Sequence, residues 1–207
     1  MIVERNYKKV ILMTPVAIVA LAAVMYLVIT SPRSSLRHFL REIGTVQIGK
    51  TTLEDWRKQV APAHLSNVTF TCIQRACSVS WDGNNRLLHR LRLAPLSSVK
   101  ASIEFQDGIA SDIYIWTEID DARDARGVMY LGTGATVHQT GNPQACNKHY
   151  FPDLKLHGNR EWGTVTMDSC VSSEDRAKAL AINTSCLTTI GGCKTAKAIL
   201  PKVFGRF

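Results

Sequence analysis

The chain has 207 residues, of which 45% are hydrophobic and 20% are charged, and its formal net charge is +8. The length is sufficient for one well-packed domain, and the absence of internal repeats and low-complexity tracts excludes repeat arrays and biased linker-like chains. The excess of basic residues makes anionic lipid and nucleic acid the two partners to weigh for its surface.

Residues 10–30 form an uncharged, predominantly apolar run. At a helical rise of 1.5 Å per residue, a run of about 20 residues spans roughly 30 Å, the thickness of the bilayer core. A cleaved secretory signal has a shorter apolar core, of about 7–15 residues. We therefore predict an uncleaved transmembrane signal-anchor over residues 10–30, preceded by a short cytoplasmic amino terminus over residues 1–9.

Basic residues flank both ends of this run, so the charge rule does not decide which side the rest of the chain occupies. The cysteines are more informative, because all of them follow the anchor and their number is even, as expected for disulfides in an oxidising compartment. They are Cys72, Cys77, Cys146, Cys170, Cys186 and Cys193. We predict a single-pass membrane protein with an extracytoplasmic domain, periplasmic or lumenal. The alternative is a cytosolic domain with buried free thiols.

Two short helices are predicted after the anchor. The first is expected to begin at Ser34 or Ser35 and to end at Gly44. The second is predicted by a capping box in which Thr51 is the cap and Glu54 reaches back to it. Apolar residues recur in the first helix at spacings of three and four: Leu36, Phe39, Leu40 and Ile43.

Alternation of apolar and polar residues then predicts an antiparallel β-meander of five to seven strands. The clearest hairpin has its turn at Asp107-Gly108. Further strands are expected over residues 68–72, 77–81, 87–93, 99–105, 109–117, 128–131 and 135–138. Turns are expected over residues 82–85 and 132–134, and a charged solvent loop over residues 120–126.

The composition shifts near Thr140 to a looped, cysteine-rich stretch. It is predicted to hold a strand over residues 162–167, a helix capped by Ser172 or Ser173 that ends at Gly191-Gly192, and a short helix before Pro201. The fold class is therefore α+β, with a domain over residues 31–139 and a disulfide-stapled helical appendage over residues 140–207.

Six cysteines permit fifteen disulfide pairings. Cys72 and Cys77 flank a tight connection, and Cys186 and Cys193 lie on either side of the Gly191-Gly192 corner, which leaves Cys146 with Cys170. The alternative is a zinc site that uses Cys146 and His149 together with His138 or His157. Because the chain has no C-x2-C pair, we predict three disulfides and no metal site.

Residues 44–51, Gly-Thr-Val-Gln-Ile-Gly-Lys-Thr, match the phosphate-loop pattern G-x4-G-K-[ST]. In such a loop Lys50 would bind phosphate oxygens and Thr51 would bind magnesium. However, a helix is predicted before the loop where a strand is required, and no alternating strand–helix pattern follows it. We interpret the stretch as a helix end, a turn and a cap. A cytosolic-facing nucleotide-binding domain that uses Gly44–Thr51 is the alternative function.

The sequence contains no hydrolase or metalloprotease signature, and its six histidines are scattered, so we predict no catalytic residue, no cofactor and no enzymatic activity. Basic residues are not interleaved with aromatic residues as in single-strand nucleic-acid binders, so nucleic acid is not a predicted partner. Residues 10–30 and the basic residues beside them are predicted to contact membrane lipid: Lys8, Lys9, Arg33, Arg37 and Arg41. The predicted function is binding or structural support in the cell envelope, with an envelope protein as the further partner.

Overall fold

The computed structural model describes residues 2–60, 67–121, 131–140, 150–157, 160–190 and 192–205. Its helices are α1 (Ile2–Thr45), α2 (Leu53–Val60), α3 (Arg86–Arg90), α4 (Ser173–Leu180), a 3₁₀ helix (Thr184–Leu187), α5 (Ala196–Ile199) and α6 (Pro201–Phe204). Its strands are β1 (Val68–Ile73), β2 (Ala76–Asn84), β3 (Leu96–Gln106), β4 (Ile109–Asp121), β5 (Leu131–Thr140), β6 (Tyr150–His157) and β7 (Arg160–Asp168). The protein is therefore α+β, as predicted.

The strands form one seven-stranded mixed sheet in the order β1-β2-β3-β4-β5-β7-β6. The first five strands are an antiparallel meander, and the turn between β3 and β4 is at Asp107-Gly108, where both residues have positive φ. The meander does not extend further, because β7 pairs with β5 in parallel and β6 occupies the edge. Residues 141–149, which connect β5 to β6, lie outside the described residues.

The core lies on one face of the sheet. Every second residue of the central strands points into it, including Val99, Ala101 and Ile103 on β3. The second half of α1, α2 and the carboxyl-terminal helices cover this face with fully buried side chains: Leu36, Phe39, Ile43, Trp56, Ile199 and Leu200. The opposite face carries mainly serine, threonine and charged residues, together with Trp116 and Trp162.

α1 continues without a break from the apolar run into the domain. The predicted helix start at Ser34 or Ser35 is wrong, because both serines lie inside α1. Ser35 is buried and its Oγ accepts a hydrogen bond from Trp81 Nε1 at 2.9 Å. Burial of the apolar face and this tertiary bond hold the helix in place where local sequence favours a cap.

The second helix begins one residue later than predicted. Thr52 Oγ1 accepts from the Asp55 backbone N–H at 3.1 Å, so Thr52 is the residue that caps α2. Thr51 Oγ1 instead accepts from the Gln47 N–H at 2.8 Å, within the preceding turn. A threonine side chain caps the helix, as predicted. The cap is Thr52 and not Thr51, because Thr51 belongs to the preceding turn.

The predicted turn over residues 82–85 and the strand over 87–93 are wrong: β2 runs to Asn84, and α3 follows it. The buried Asn85 side chain donates to Pro95 O at 2.8 Å and accepts from Ser97 N–H at 2.7 Å. These bonds join the two ends of the segment that connects β2 to β3. They depend on residues ten and twelve positions away, which a local pattern does not reveal.

The predicted turn over residues 132–134 is also wrong, because β5 runs through it. A side chain at Gly134 would collide with the Trp162 ring. The glycine therefore permits close approach of an aromatic ring across the sheet and does not form a turn. Strand β6 was not predicted, since Pro152 and Asp153 are typical of loops. Most of the predicted solvent loop (122–126) and most of the predicted strand 128–131 lie outside the described residues.

The carboxyl-terminal segment is part of the same fold. β6 and β7 complete the sheet, and the buried residues Leu187, Ile199 and Phe204 belong to the same core cluster as those of β3. The Ser172 cap of α4 is present, but α4 ends at Leu180, before the predicted end at Gly191-Gly192. The predicted domain boundary at residues 139–140 falls at the end of β5.

Candidate membrane-proximal site

In the first half of α1, side chains are described from residue 17 onward, and the apolar side chains over residues 17–30 are mostly exposed. Seven of them are more than half exposed: Ile18, Val19, Leu21, Val24, Tyr26, Leu27 and Val28. The helix is long and apolar enough to cross a membrane by length and composition. A helix that is apolar on every side is typical of a core helix or a membrane span.

Three arginines lie at four-residue spacing on the part of α1 that follows this surface, which places them on one face of the helix. Arg37 Nε donates to Thr184 Oγ1 at 3.0 Å, and Arg33 Nη1 donates to Thr188 Oγ1 at 3.4 Å. Arg41 is exposed. The arginines therefore connect α1 to the 3₁₀ helix as well as facing solvent.

A cavity of about 300 Å³ lies beside these arginines. Its lining includes Arg37, Arg41, Thr184 and Asn183. The Nε atom of Arg33 is buried and has no hydrogen-bond partner. Cationic groups with neighbouring hydroxyls are the chemistry that binds phosphate oxygens.

The carboxyl-terminal end of α1 is held by Arg176 of α4. Its guanidinium donates to Ile43 O at 2.9 Å, to Gly44 O at 2.6 Å and to Gln139 Oε1 at 2.8 Å. The last carbonyls of a helix lack partners within the helix and carry partial negative charge, so a cation is favourable there. Burial lowers the pKa of Arg176 from its usual value, and the residue stays charged at physiological pH.

The turn over residues 44–51 does not form a phosphate cradle. The backbone N–H of Gly49 donates to Ala110 O at 2.8 Å, and those of Lys50 and Thr51 both donate to Gln47 O. The Gln47 N–H donates to Thr51 Oγ1. A phosphate loop needs these N–H groups free to face the ligand. The geometry therefore supports the interpretation of a helix end and turn over nucleotide binding.

Another cavity, of about 660 Å³, lies between β6 and helices α4 and α6. Tyr150, Asp175, Lys178 and Lys202 are among its lining residues. Burial raises the pKa of Tyr150, and the Asp175 carboxylate adds to this, while Lys178 opposes it. Lys178 is bonded to Glu174 at 2.7 Å, which raises the pKa of Lys178. Tyr150 is therefore protonated at neutral pH, and its hydroxyl is not activated as a nucleophile.

Disulfides join Cys72 to Cys77, with Cα atoms 4.1 Å apart, and Cys186 to Cys193, with Cα atoms 5.0 Å apart. These are the two local pairs that the spacing predicts. Cys170 is also disulfide-bonded, and its predicted partner Cys146 lies outside the described residues.

The alternative zinc ligands Cys146 and His149 also lie outside the described residues. His138 Nε2 lies 3.5 Å from Asp112 Oδ1. Within the described part of the chain, no group of three or more histidine, cysteine or carboxylate side chains could hold a metal ion.

Sequence reasoning identified Arg33, Arg37 and Arg41 but missed the groups that position them. Thr184 and Thr188 are about 150 residues away along the chain. Arg176 is in a short helix whose local sequence does not indicate that it binds the end of α1. The side chains of Lys8 and Lys9 are outside the described part of the structure. No family model, no curated protein and no solved structure matches this chain.

Proposed function

We propose that this is a single-pass membrane protein whose α+β domain acts in an extracytoplasmic, oxidising compartment. It binds a partner or gives structural support to the envelope there, and it is not an enzyme. The observation that carries the proposal is the continuity of α1, because the same helix provides the apolar surface and part of the domain core. Within α1, no flexible linker separates the apolar surface from the part that packs in the domain core.

The continuity of α1 restricts where the domain can lie. If the span ends at Thr30, Arg33 lies about 5 Å beyond it, Arg37 about 10 Å and Arg41 about 16 Å, at 1.5 Å per residue along the helix axis. The head-group layer on each side of a bilayer is roughly 5–8 Å thick. Arg33 is then placed among the lipid head groups, and Arg41 is outside them.

The disulfides support the oxidising compartment, since such bonds persist in the periplasm or secretory lumen and are rare in the cytosol. All described cysteines are paired. A domain held this close to the bilayer, with no catalytic constellation among the described residues, suits a binding or scaffolding role at the membrane surface.

The orientation is tested with the full chain in its native membrane. Protease is added to intact cells or spheroplasts and, in parallel, to lysed ones, and the domain is followed with an antibody to the carboxyl terminus. We expect digestion in intact spheroplasts. Protection in the intact sample and digestion only after lysis would place the domain in the cytosol and contradict the proposal.

A second measurement uses the thiols. Protein trapped in acid and treated with a maleimide of high mass before and after reduction should shift on a gel only after reduction. A shift before reduction would show free thiols in the native compartment, which the proposal excludes.

A further inference from the structure

The contacts of α1 show how the helix lies on the sheet. Ser35 is bonded to Trp81 of β2, and after the helix ends the Gly49 N–H donates to Ala110 O at the start of β4. Between these two levels the helix rises about 15 Å, and the strands, followed from Trp81 across the ladder and down to Ala110, cover about 17 Å. α1 therefore runs along the strands, with its carboxyl-terminal end beside the turn between β3 and β4.

The other end of the sheet lies beside the residues where the proposed span ends. β2 continues about 10 Å from Trp81 to Asn84, and α1 extends about 8 Å back from Ser35 to Thr30. The segment over residues 85–95, which connects β2 to β3, is therefore level with Thr30. This step rests on the proposed anchor, which places the bilayer surface near that residue.

A second set of contacts gives the same level. Arg33 Nη1 donates to Thr188 Oγ1 at 3.4 Å, so the residues after the 3₁₀ helix lie beside the start of the part of α1 that packs on the domain. Gly192 lies directly against Pro95, since a β-carbon at Gly192 would be 2.9 Å from Pro95 Cγ. The residues that follow the 3₁₀ helix thus connect Arg33 to the segment between β2 and β3.

This end of the domain exposes apolar and basic side chains together. Leu91, Leu93 and Ile190 are 47%, 40% and 72% exposed. Arg86 and Arg90 are also exposed, and the segment between β2 and β3 contains no acidic residue. Apolar side chains beside uncompensated positive charge are typical of a surface that lies among anionic lipid head groups.

The same segment has a well-packed side that fixes the direction of the exposed one. Leu88 and Ala94 are buried. Asn85 is bonded to Pro95 O and to the Ser97 N–H, so both ends of the segment are tied to the sheet. The exposed leucines are therefore presented by an ordered support.

The opposite end of the sheet has a different composition. Ile73 is 71% exposed there, but the neighbouring charges are balanced by ion pairs. Arg75 lies 3.6 Å from Asp107, and Lys58 lies 2.8 Å from Glu54. Such an end has no net attraction for an anionic surface, which makes it a control within the same molecule.

We propose that the segment between β2 and β3, together with Ile190, is a second membrane contact of this protein. Leu91, Leu93 and Ile190 enter the boundary between head groups and acyl chains, and Arg86 and Arg90 bind lipid phosphate groups. A single helix leaves a domain free to tilt on the bilayer. A second contact beside α1 fixes the orientation of the sheet relative to the membrane.

The bilayer fits this surface better than a soluble acidic partner does. α1 enters the domain without a linker, so it holds the surface permanently beside the lipid at a high effective concentration. A soluble partner would have to enter between the domain and the membrane. The contact does not depend on which side of the membrane the domain occupies.

The contact is tested with the full chain in nanodiscs that contain phosphatidylglycerol and phosphatidylcholine. Leu93→Cys carries a fluorophore, and a lipid with a spin label near the head of its acyl chain is the quencher. Quenching should be about twofold or more stronger than for the same fluorophore on Ile73→Cys, the exposed apolar control at the opposite end. Leu91→Cys provides a second labelled position.

The contribution of the arginines is measured with the same fluorophore over a series of phosphatidylglycerol fractions. Arg86→Gln with Arg90→Gln should lower the ratio of docked to undocked domains about tenfold or more, so half-maximal quenching requires more anionic lipid. Lys50→Gln with Arg75→Gln makes the same change in net charge at the opposite end. This matched control should leave the quenching as in the parent chain.

The outcomes separate this contact from the anchor. Equal quenching at Leu93 and Ile73, in a chain that incorporates into nanodiscs, overturns the second contact, leaves the anchor in place and makes an acidic protein the candidate occupant. Failure to incorporate contradicts the anchor and this proposal with it. Equal losses in the two charge variants overturn the assignment of Arg86 and Arg90 to lipid phosphate.

Discussion

The first half of α1 exposes apolar side chains on every side, whereas the second half buries them on one side and presents arginine on the other. Leu21 and Leu27 are 65% and 64% exposed, while Leu36 and Phe39 are fully buried. The backbone is helical throughout. The two halves therefore differ in what surrounds them and not in local conformation, and the distribution of apolar residues around the helix axis records that difference.

The end of each half is marked by a polar contact. Arg33 begins the part of the helix that contacts the 3₁₀ helix, and Arg176 closes it at the last carbonyls. Between these two arginines the helix is part of a core. Over residues 17–30 its described apolar side chains are mostly exposed.

The largest expected effect comes from placing charge in the first half. Leu21→Arg combined with Val24→Arg should abolish stable membrane integration, since each arginine near the centre of a span costs about 2.5–3.5 kcal/mol. Extraction of membranes with alkaline carbonate measures whether the protein is stably integrated. The matched variant with alanine at both positions should remain in the pellet, and an arginine variant that also remains would contradict the assignment of this half to the bilayer.

A truncation in each half compares burial directly. Phe39→Ala should lower the free energy of unfolding of the domain by about 3–5 kcal/mol, because the ring is fully buried and packs edge-on against Trp56 with centroids 6.1 Å apart. Leu27→Ala should change it by less than about 0.5 kcal/mol. Denaturant titration of the full chain in micelles, followed by tryptophan fluorescence, gives both values. Similar losses in the two variants would mean that the first half also packs in the domain.

Removal of the Arg176 cation at the carboxyl-terminal end of α1 should lower the free energy of unfolding by about 1–3 kcal/mol. Arg176→Met keeps an unbranched apolar stem but leaves the carbonyls of Ile43 and Gly44 and the Gln139 amide oxygen without their donor. Arg41→Met, on an exposed position of α1, is the control and should be nearly neutral. The same titration measures both, and equal stability of the two variants would refute a capping role for Arg176.

Neighbouring serines sharpen the comparison within one turn of the helix. Ser35→Ala removes the acceptor of the buried Trp81 Nε1–H and should destabilise the domain by about 1–2 kcal/mol. Ser34 is exposed, so Ser34→Ala should lie within about 0.5 kcal/mol of wild type. A thermal melt of the two variants side by side is sufficient. A result in which Ser34→Ala is the more damaging would show that α1 starts at a cap there.

The smallest expected effect is at the junction of the two halves. In nanodiscs, the stabilisation that anionic lipid gives over neutral lipid should fall by about 1 kcal/mol in Arg33→Gln. It should change less in Arg41→Gln, because the proposed span ending at Thr30 would place Arg41 farther from the bilayer than Arg33. If Arg41→Gln loses more than Arg33→Gln, the span does not end near Thr30.

The features that sequence reasoning predicted are those in which neighbouring residues carry the physical cause. The apolar run, the period-two alternation of β3 and β4, the Asp107-Gly108 turn and the two short-range disulfides depend on residues within a few positions of one another. The helix over residues 36–43 was recognised from its buried face for the same reason, although its start was wrong.

The features that were missed depend on contacts across the sheet or between distant segments. Gly134 resembled a turn because its partner, the Trp162 ring, is on another strand. β6 resembled a loop because Pro152 suits an edge strand only when the edge is known. The capping of α1 by Arg176 joins residues more than 130 positions apart.

The sequence by itself determined that a long apolar helix precedes an α+β domain with locally paired cysteines, because hydrophobic period and chain proximity act over a few residues. Only the tertiary structure decided that α1 is one helix, that β7 pairs in parallel with β5, and that β1 and β6 are the edges of the sheet. Those outcomes depend on which surfaces meet after the chain has folded, when burial of Leu36, Phe39 and Ile43 outweighs the local preference of Ser34 and Ser35 to begin a helix.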